Sequence, residues 1–179
     1  MLTATVDSSK EWTVEDYLQL EEGLLAQLID GQLIMSPAPN TEHQRVLRKL
    51  YDVIHESLEG EIFFSPVDLY MDSRNVMQPD LVFISKERAS IVTSRGIEGT
   101  PDLIVEIISP SNSFYDRNTK RHKYLQLGVQ EYWIIDPANK TLEIYTPKDH
   151  DTPRLYLVNE GAVTSLVSAD VGFDLKALF

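Results

Sequence analysis

Two short apolar runs, QPDLVFIS over 78–85 and PDLIVEIIS over 101–109, constrain this chain more than any other feature of it. Each has the length and Val/Ile/Leu/Phe content of a buried strand, yet each carries acids. An unpaired ionised carboxylate in a low-dielectric interior is costly, or it takes up a proton. Asp80 and Glu106 therefore need partners. The second run leads into SPSNSFYDRNTKRHKY, where serine cap candidates and a stop at Gly128 predict a helix from about Ser113 to Leu127. Asp116, Lys120 and Tyr124 recur on it at intervals of four, with Leu127 three further on. If Tyr124 and Leu127 hold this face against a sheet, Lys120 points inward near Glu106, and Lys123 is rotated off that line by about 60°. Two strand-borne acids with a nearby lysine form a pattern of metal-assisted hydrolysis.

Composition narrows the chemistry. A length of 179 residues with 42% apolar content suits a single domain, with residues 1–12 expected as a flexible tail. With no cysteine, a metal would need oxygen or imidazole ligands. No apolar run reaches the roughly 18 residues of a membrane span, and the first residues lack a signal-peptide pattern, so a cytoplasmic protein is expected. The net charge of -12 argues against a general nucleic-acid coat. That charge is uneven: residues 1–30 carry seven acids against Lys10, whereas 105–127 carry Arg117, Lys120, Arg121 and Lys123 against Glu106 and Asp116. Arg117, Arg121 and Lys123 are candidate phosphate-binding residues on a local basic patch.

Taken in order, Thr13 is an N-cap candidate for a short helix, and Asp30-Gly31 supplies the turn of a hairpin between LLAQLI and QLIMS. Thr41 with Gln44 resembles a capping box for a helix whose Leu47, Leu50, Ile54 and Leu58 form one face, with His43 on the same side. EIFFSPVDLYMD reads as one strand kinked at Pro66. Gly96 and Gly99 suggest a mobile loop, with a short helical or extended piece around Ile91. PDLIVEIIS, apolar on both faces, belongs at the centre of a sheet. EYWIIDP and TLEIYTP read as strands joined by a turn, and RLYLVNE with GAVTS as a further hairpin; GFDLKALF is too short to assign.

The segments DGQLIMSPAPNTEHQ, QPDLVFIS, PDLIVEIISPSNSFYD and GVQEYWIIDP, together with Lys120, resemble the Uma family of restriction-endonuclease-like proteins, over roughly Thr13 to Tyr145. The resemblance implies a PD-(D/E)XK nuclease fold of mixed α+β class: a central mixed β-sheet flanked by helices, here with an N-terminal helix and hairpin. It implies Asp80 and Glu106 as catalytic acids and metal ligands, with the Ile107 backbone carbonyl completing the site for Mg²⁺ or Mn²⁺. The usual motif places a lysine two residues after the second acid, where this chain has Ile108; the family supplies Lys120 from the following helix instead. His43 and Gln78 are supporting candidates. Asp116 reads as a helix ion pair with Lys120 worth about 0.2–0.5 kcal/mol.

Two functions follow from these residues. One is a metal-dependent endonuclease acting on DNA, with RNA and self-association into a homo-oligomer left open. The other is a catalytically inactive binding or regulatory module that keeps the nuclease fold, favoured by the acidic charge and by Ile108 in the lysine position. A fold alone does not decide between them.

Overall fold

In the computed structural model of the chain, residues 10–21, 23–108, 114–168 and 170–179 are described. Each acid-bearing run contributes a strand to one six-stranded sheet. The elements begin with helix α1 (Val14–Tyr17), strands β1 (Ala26–Ile29) and β2 (Gln32–Met35), and helix α2 (Thr41–Ser57). Strands β3 (Gly60–Phe64), β4 (Leu69–Asp72), β5 (Asn75–Met77), β6 (Leu81–Ser85) and β7 (Leu103–Ile107) follow. The chain ends with helix α3 (Arg121–Leu127), β8 (Glu131–Asp136), β9 (Thr141–Tyr145), β10 (Arg154–Leu157), β11 (Ala162–Thr164) and β12 (Gly172–Asp174).

The large sheet has the order β10-β9-β8-β7-β6-β3, and its β7–β8 pair is parallel while the others are antiparallel. A four-stranded antiparallel sheet, β2-β1-β5-β4, stands beside it, and β11 pairs with β12. This is the expected mixed α+β architecture. Side chains alternate across a strand. Leu103, Val105 and Ile107 of β7 therefore join α2's Val46, Leu47, Leu50 and Ile54 in one core. Ile104 and Ile108 join Tyr124 and Leu125 of α3 in the other. Burying each large apolar side chain contributes about 1.5–3 kcal/mol. Glu106 falls between Ile104 and Ile108, so alternation alone aims it at the α3 side.

Several local expectations are met. Thr13 caps α1 in a reciprocal box with Asp16, and Asp30-Gly31 turns the β1–β2 hairpin with φ of 52° and 75°. Others are corrected. The N-cap of α2 is Asn40, whose side chain accepts from the His43 N–H, one residue before the expected Thr41. The EIFFSPVDLYMD strand divides at Ser65-Pro66: β3 stays in the large sheet and β4 crosses to the small one. The connection through Gly96 is anchored by Ile97, which is fully buried and pairs its backbone with Asp68 and Tyr70. RLYLVNE and GAVTS do not form a hairpin, since β10 pairs with β9 and β11 with β12. Glu131 helps to fix this outcome: fully buried, it accepts from Arg154 (2.6 Å), Ser165 (2.6 Å), the Leu166 N–H (2.8 Å) and Trp133 (3.0 Å). Among the described residues, no helix is long and apolar enough to cross a membrane.

Candidate active site

A cleft of about 560 Å³ opens at the end of the large sheet. Gln78, Asp80, Glu106, Ile107, Asp116 and Lys120 line it together with His43 from α2. The strand register explains how the two acids meet. Leu81 pairs with Val105, Val82 with Ile104 and Phe83 with Leu103, and Asp80 and Glu106 are each the next residue beyond the last of these pairs. Asp80 is engaged by His43 of α2 and Glu106 by Lys120 and Tyr124, so the two acids meet in the cleft with partners from different elements. The 26-residue separation is thus the length of chain that leaves β6 and returns along β7.

Asp80 accepts through Oδ2 from the Ile107 N–H (2.7 Å), and His43 Nε2 lies 2.9 Å from the same oxygen. The other ring nitrogen of His43, Nδ1, is buried without a hydrogen-bond partner among the described residues. Nε2 is thus the ring nitrogen that donates to the carboxylate. Glu106 accepts through Oε1 from Lys120 Nζ (2.9 Å) and from the Tyr124 hydroxyl (3.0 Å). Lys120 also lies 3.0 Å from Asp116 Oδ1, close enough to pair electrostatically but not aligned as a hydrogen bond.

The helix behind this cluster is unusual. Residues Tyr115–Lys120 wind as a π-helical turn before α3 begins. The wider i→i+5 winding offsets the drift that a regular helix accumulates over successive steps of four. Asp116, Lys120 and Tyr124 are consequently all buried on one line, at 3%, 7% and 0% exposure. Tyr132 supports the turn by donating its hydroxyl to the Asp116 carbonyl at 3.0 Å.

Burial pushes the Glu106 carboxyl up to about 8, with Asp116 and Asp80 adding to the rise and Lys120 opposing it. Burial raises Asp116 as well. For Lys120, burial disfavours the charge, but Glu106 and Asp116 outweigh it and hold the ammonium above its usual value. Three carboxyls around one ammonium leave the cluster short of positive charge. A proton on Glu106 makes up part of the deficit.

Stability should respond to pH accordingly. Glu106 has a folded value of about 8 against 4.5 for the free group, so between them the folded chain holds more protons than the unfolded one. Its contribution is complete below about 4.5 and is lost as pH rises through about 8. Urea unfolding should show a decline from pH 6 to 9 that is flatter in Glu106→Gln. An equal slope in that variant would contradict the assignment.

The remaining candidates sit as follows. Gln78 lines the cleft, but its amide nitrogen donates to Asp68 (2.9 Å) and Tyr17 (3.3 Å), tying it to the small sheet. Arg117 bonds Glu143 (2.7 Å) and Asp136 (3.2 Å), and Arg121 lies over the Tyr145 ring and 3.5 Å from Asp151. Lys123 pairs with Asp30 in the β1–β2 turn, away from Glu106 as its helical position implied. The basic run is therefore matched to acids within the chain and is not a bare positive face. Asp116 is the residue that sequence reasoning missed as part of the site. The interval of four that turned Lys120 inward applied equally to Asp116, and was the signal that could have found it.

Comparisons with other proteins identify the family. The profile of the Uma2 family, described as "Putative restriction endonuclease", matches residues 14–177. The chain belongs to the Uma2 family. An uncharacterized Synechocystis protein, sll1609, is 29% identical over 147 residues, covering 78% of this chain and 83% of that protein. A crystal structure described as a "putative nuclease belonging to DUF820" from Anabaena variabilis superposes with a TM-score of 0.80 at 21% identity, covering 93% of this chain and 97% of the other. At that identity the likeness shows the fold alone.

Proposed function

We propose that this Uma2 protein is a divalent-metal-dependent endonuclease that hydrolyses phosphodiester bonds in DNA, with Asp80, Glu106 and Lys120 as its catalytic residues. The observation that carries the proposal is the meeting of Asp80, Glu106 and Lys120 in one cleft, with Lys120 bonded to the second acid. The donor set suits Mg²⁺ or Mn²⁺. Among the described residues no three His, Asp or Glu side chains group as a metal cage. Mg²⁺ does not need one, because it commonly takes one or two carboxylates and keeps several waters. Asp80, Glu106 and the Ile107 carbonyl would hold the ion. The bonds described above use one oxygen of each carboxylate, Oδ2 of Asp80 and Oε1 of Glu106.

A bound ion supplies a water of lowered pKa and positive charge for a phosphate oxygen. The chain's own groups do the rest. His43 and the Ile107 N–H fix the rotamer of Asp80, so that its carboxylate meets the cleft in one orientation. Lys120, held between Glu106 and Asp116, places an ammonium where negative charge develops on the phosphate. Tyr124 keeps Glu106 aimed along the same line. Phosphate contact by Arg117, Arg121 or Lys123 would exchange one of the internal acids for the substrate.

The inactive-module reading has one observation of its own: Lys120 and Glu106 already satisfy each other in the buried cluster. Calorimetry separates the two. Mg²⁺ or Mn²⁺ should bind saturably at neutral pH, release protons and raise the melting temperature, because the cation relieves repulsion among the acids. Asp80→Ala and Glu106→Ala should lose most of this binding. Absence of saturable binding in the parent would favour the inactive module.

A further inference from the structure

We infer that the cleft takes an unpaired nucleotide of single-stranded DNA and holds the strand through its bases. The inference rests on the nuclease reading above and names the substrate class for that site. Glu106 and Lys120 are buried yet line the cleft, so a phosphodiester reaches them only when the strand itself enters. A volume of about 560 Å³ is that of a pocket enclosing a small organic ligand. A duplex would have to open a base pair before one of its nucleotides could go in.

The lining matches a base better than a backbone. Binding to a duplex depends on lysine and arginine neutralising phosphates. Among the described residues that line the cleft, Lys120 is the one lysine or arginine; it is engaged with Glu106 and Asp116, while Glu42 and Asp80 add further acids. Much of the remaining wall is apolar. Pro37, Ala38 and Pro39 follow β2, Pro66 follows β3, and Pro137 with Ala138 opens the β8–β9 turn. Proline and alanine lose no rotamer freedom when covered, and they offer apolar faces to a base. The small sheet adds neutral hydrogen-bonding groups of fixed polarity. The Gln78 N–H donates to Gln27 Oε1 (3.1 Å), and Gln27 Nε2 donates to Ser36 Oγ (2.9 Å); all three residues line the cleft. The Gln78 amide nitrogen is committed to Asp68 and Tyr17, and a carboxylate only accepts, so the side-chain carbonyl is the end left to an occupant. Such an acceptor suits a donor on the Watson–Crick edge of a base, which is free in a single strand and occupied in a duplex.

An exposed aromatic pair stands beside the cleft. Phe114 is 69% exposed and Tyr115 43%, their rings meet edge to face at 6.2 Å, and the next residue is Asp116, which lines the cleft. Two residues span at most about 7 Å, so the pair borders the opening. Exposed rings along a strand's path are where successive unpaired bases stack. If the rings were incidental surface, their removal would change neither stability nor substrate binding.

The test compares one labelled oligonucleotide as a single strand and annealed to its complement, with Mg²⁺ or Mn²⁺ and with Asp80→Ala as the blank. The single strand should be cut at least about 10-fold faster, because the duplex must first be opened. Its kcat/KM should fall only shallowly with salt, at a log–log slope of about −0.7 for a single phosphate contact. Replacing both rings, Phe114→Ala with Tyr115→Ala, should raise KM for the single strand by about 10-fold, more than it lowers kcat, with the melting temperature nearly unchanged. Phe114→Ala alone, at the more exposed ring, serves if the double variant does not fold. Duplex cut as fast as the single strand, or a salt slope of several contacts, overturns this inference and leaves the nuclease reading standing. An unchanged KM in a folded ring variant overturns stacking on the pair. A parent that cuts neither form overturns the nuclease reading and this inference with it.

Discussion

Lys120→Met is expected to slow metal-dependent cleavage by about 10²–10³-fold, the loss typical of removing one preorganised group that stabilises transition-state charge. It should also destabilise the fold. A lysine at a solvated site edge could be replaced almost without structural cost, because an ammonium does not ligate the ion. Lys120 is instead buried between Glu106 and Asp116, at 2.9 and 3.0 Å. Removing one partner of a buried ion pair commonly costs about 3–5 kcal/mol, since the charge left behind has no compensation. Here the acids can take up protons, so the destabilisation should be smaller at pH 6 than at pH 8, and saturating Mg²⁺ should recover part of it. Lys123→Met is the control. Its pair with exposed Asp30 lies outside the cluster and should contribute less than about 1 kcal/mol, with little change in the cleavage rate. Urea unfolding and single-turnover cleavage, both below the melting temperature of the weaker variant, would measure the two effects. Equal losses at Lys120 and Lys123 would contradict the geometry, and undiminished cleavage in Lys120→Met would remove the lysine from the mechanism.

The acids were legible in the sequence because a carboxylate inside a Val/Ile/Leu run violates the local pattern, and such violations mark places where something else is bound or paired. Lys120 was legible through its place on the line from Asp116 to Tyr124. The pairing of β6 with β7 that brings Asp80 and Glu106 into one cleft was not, since strand pairing depends on the whole 86–102 connection and on Ile97 docking against β4. Nor was the depth of Asp116. The interval of four places residue 116 on the line of residue 120 without showing how deeply either sinks, and the π-helical turn takes both inside. The internal pairing of the basic run was hidden for a related reason: Glu143, Asp136, Asp151 and Asp30, which pair with Arg117, Arg121 and Lys123, come from distant parts of the chain. The split of EIFFSPVDLYMD at Pro66 shows the same limit, because a kink within one strand and a passage between two sheets share one local signal.

Cleavage itself is the most direct test of the account. Supercoiled plasmid and labelled single strands would be incubated with the purified chain and Mg²⁺ or Mn²⁺, with Asp80→Ala purified in parallel to report contaminating nuclease. Asp80 holds the Ile107 N–H, engages His43 and is one of the two acids that meet in the cleft, so its loss should remove metal-dependent cleavage to background. Nicked or linear products that require the metal, and that disappear in Asp80→Ala, are the predicted result. Products of equal yield from parent and Asp80→Ala, or no products from a parent that calorimetry shows to bind the ion, would contradict the assignment of this cleft as a nuclease site.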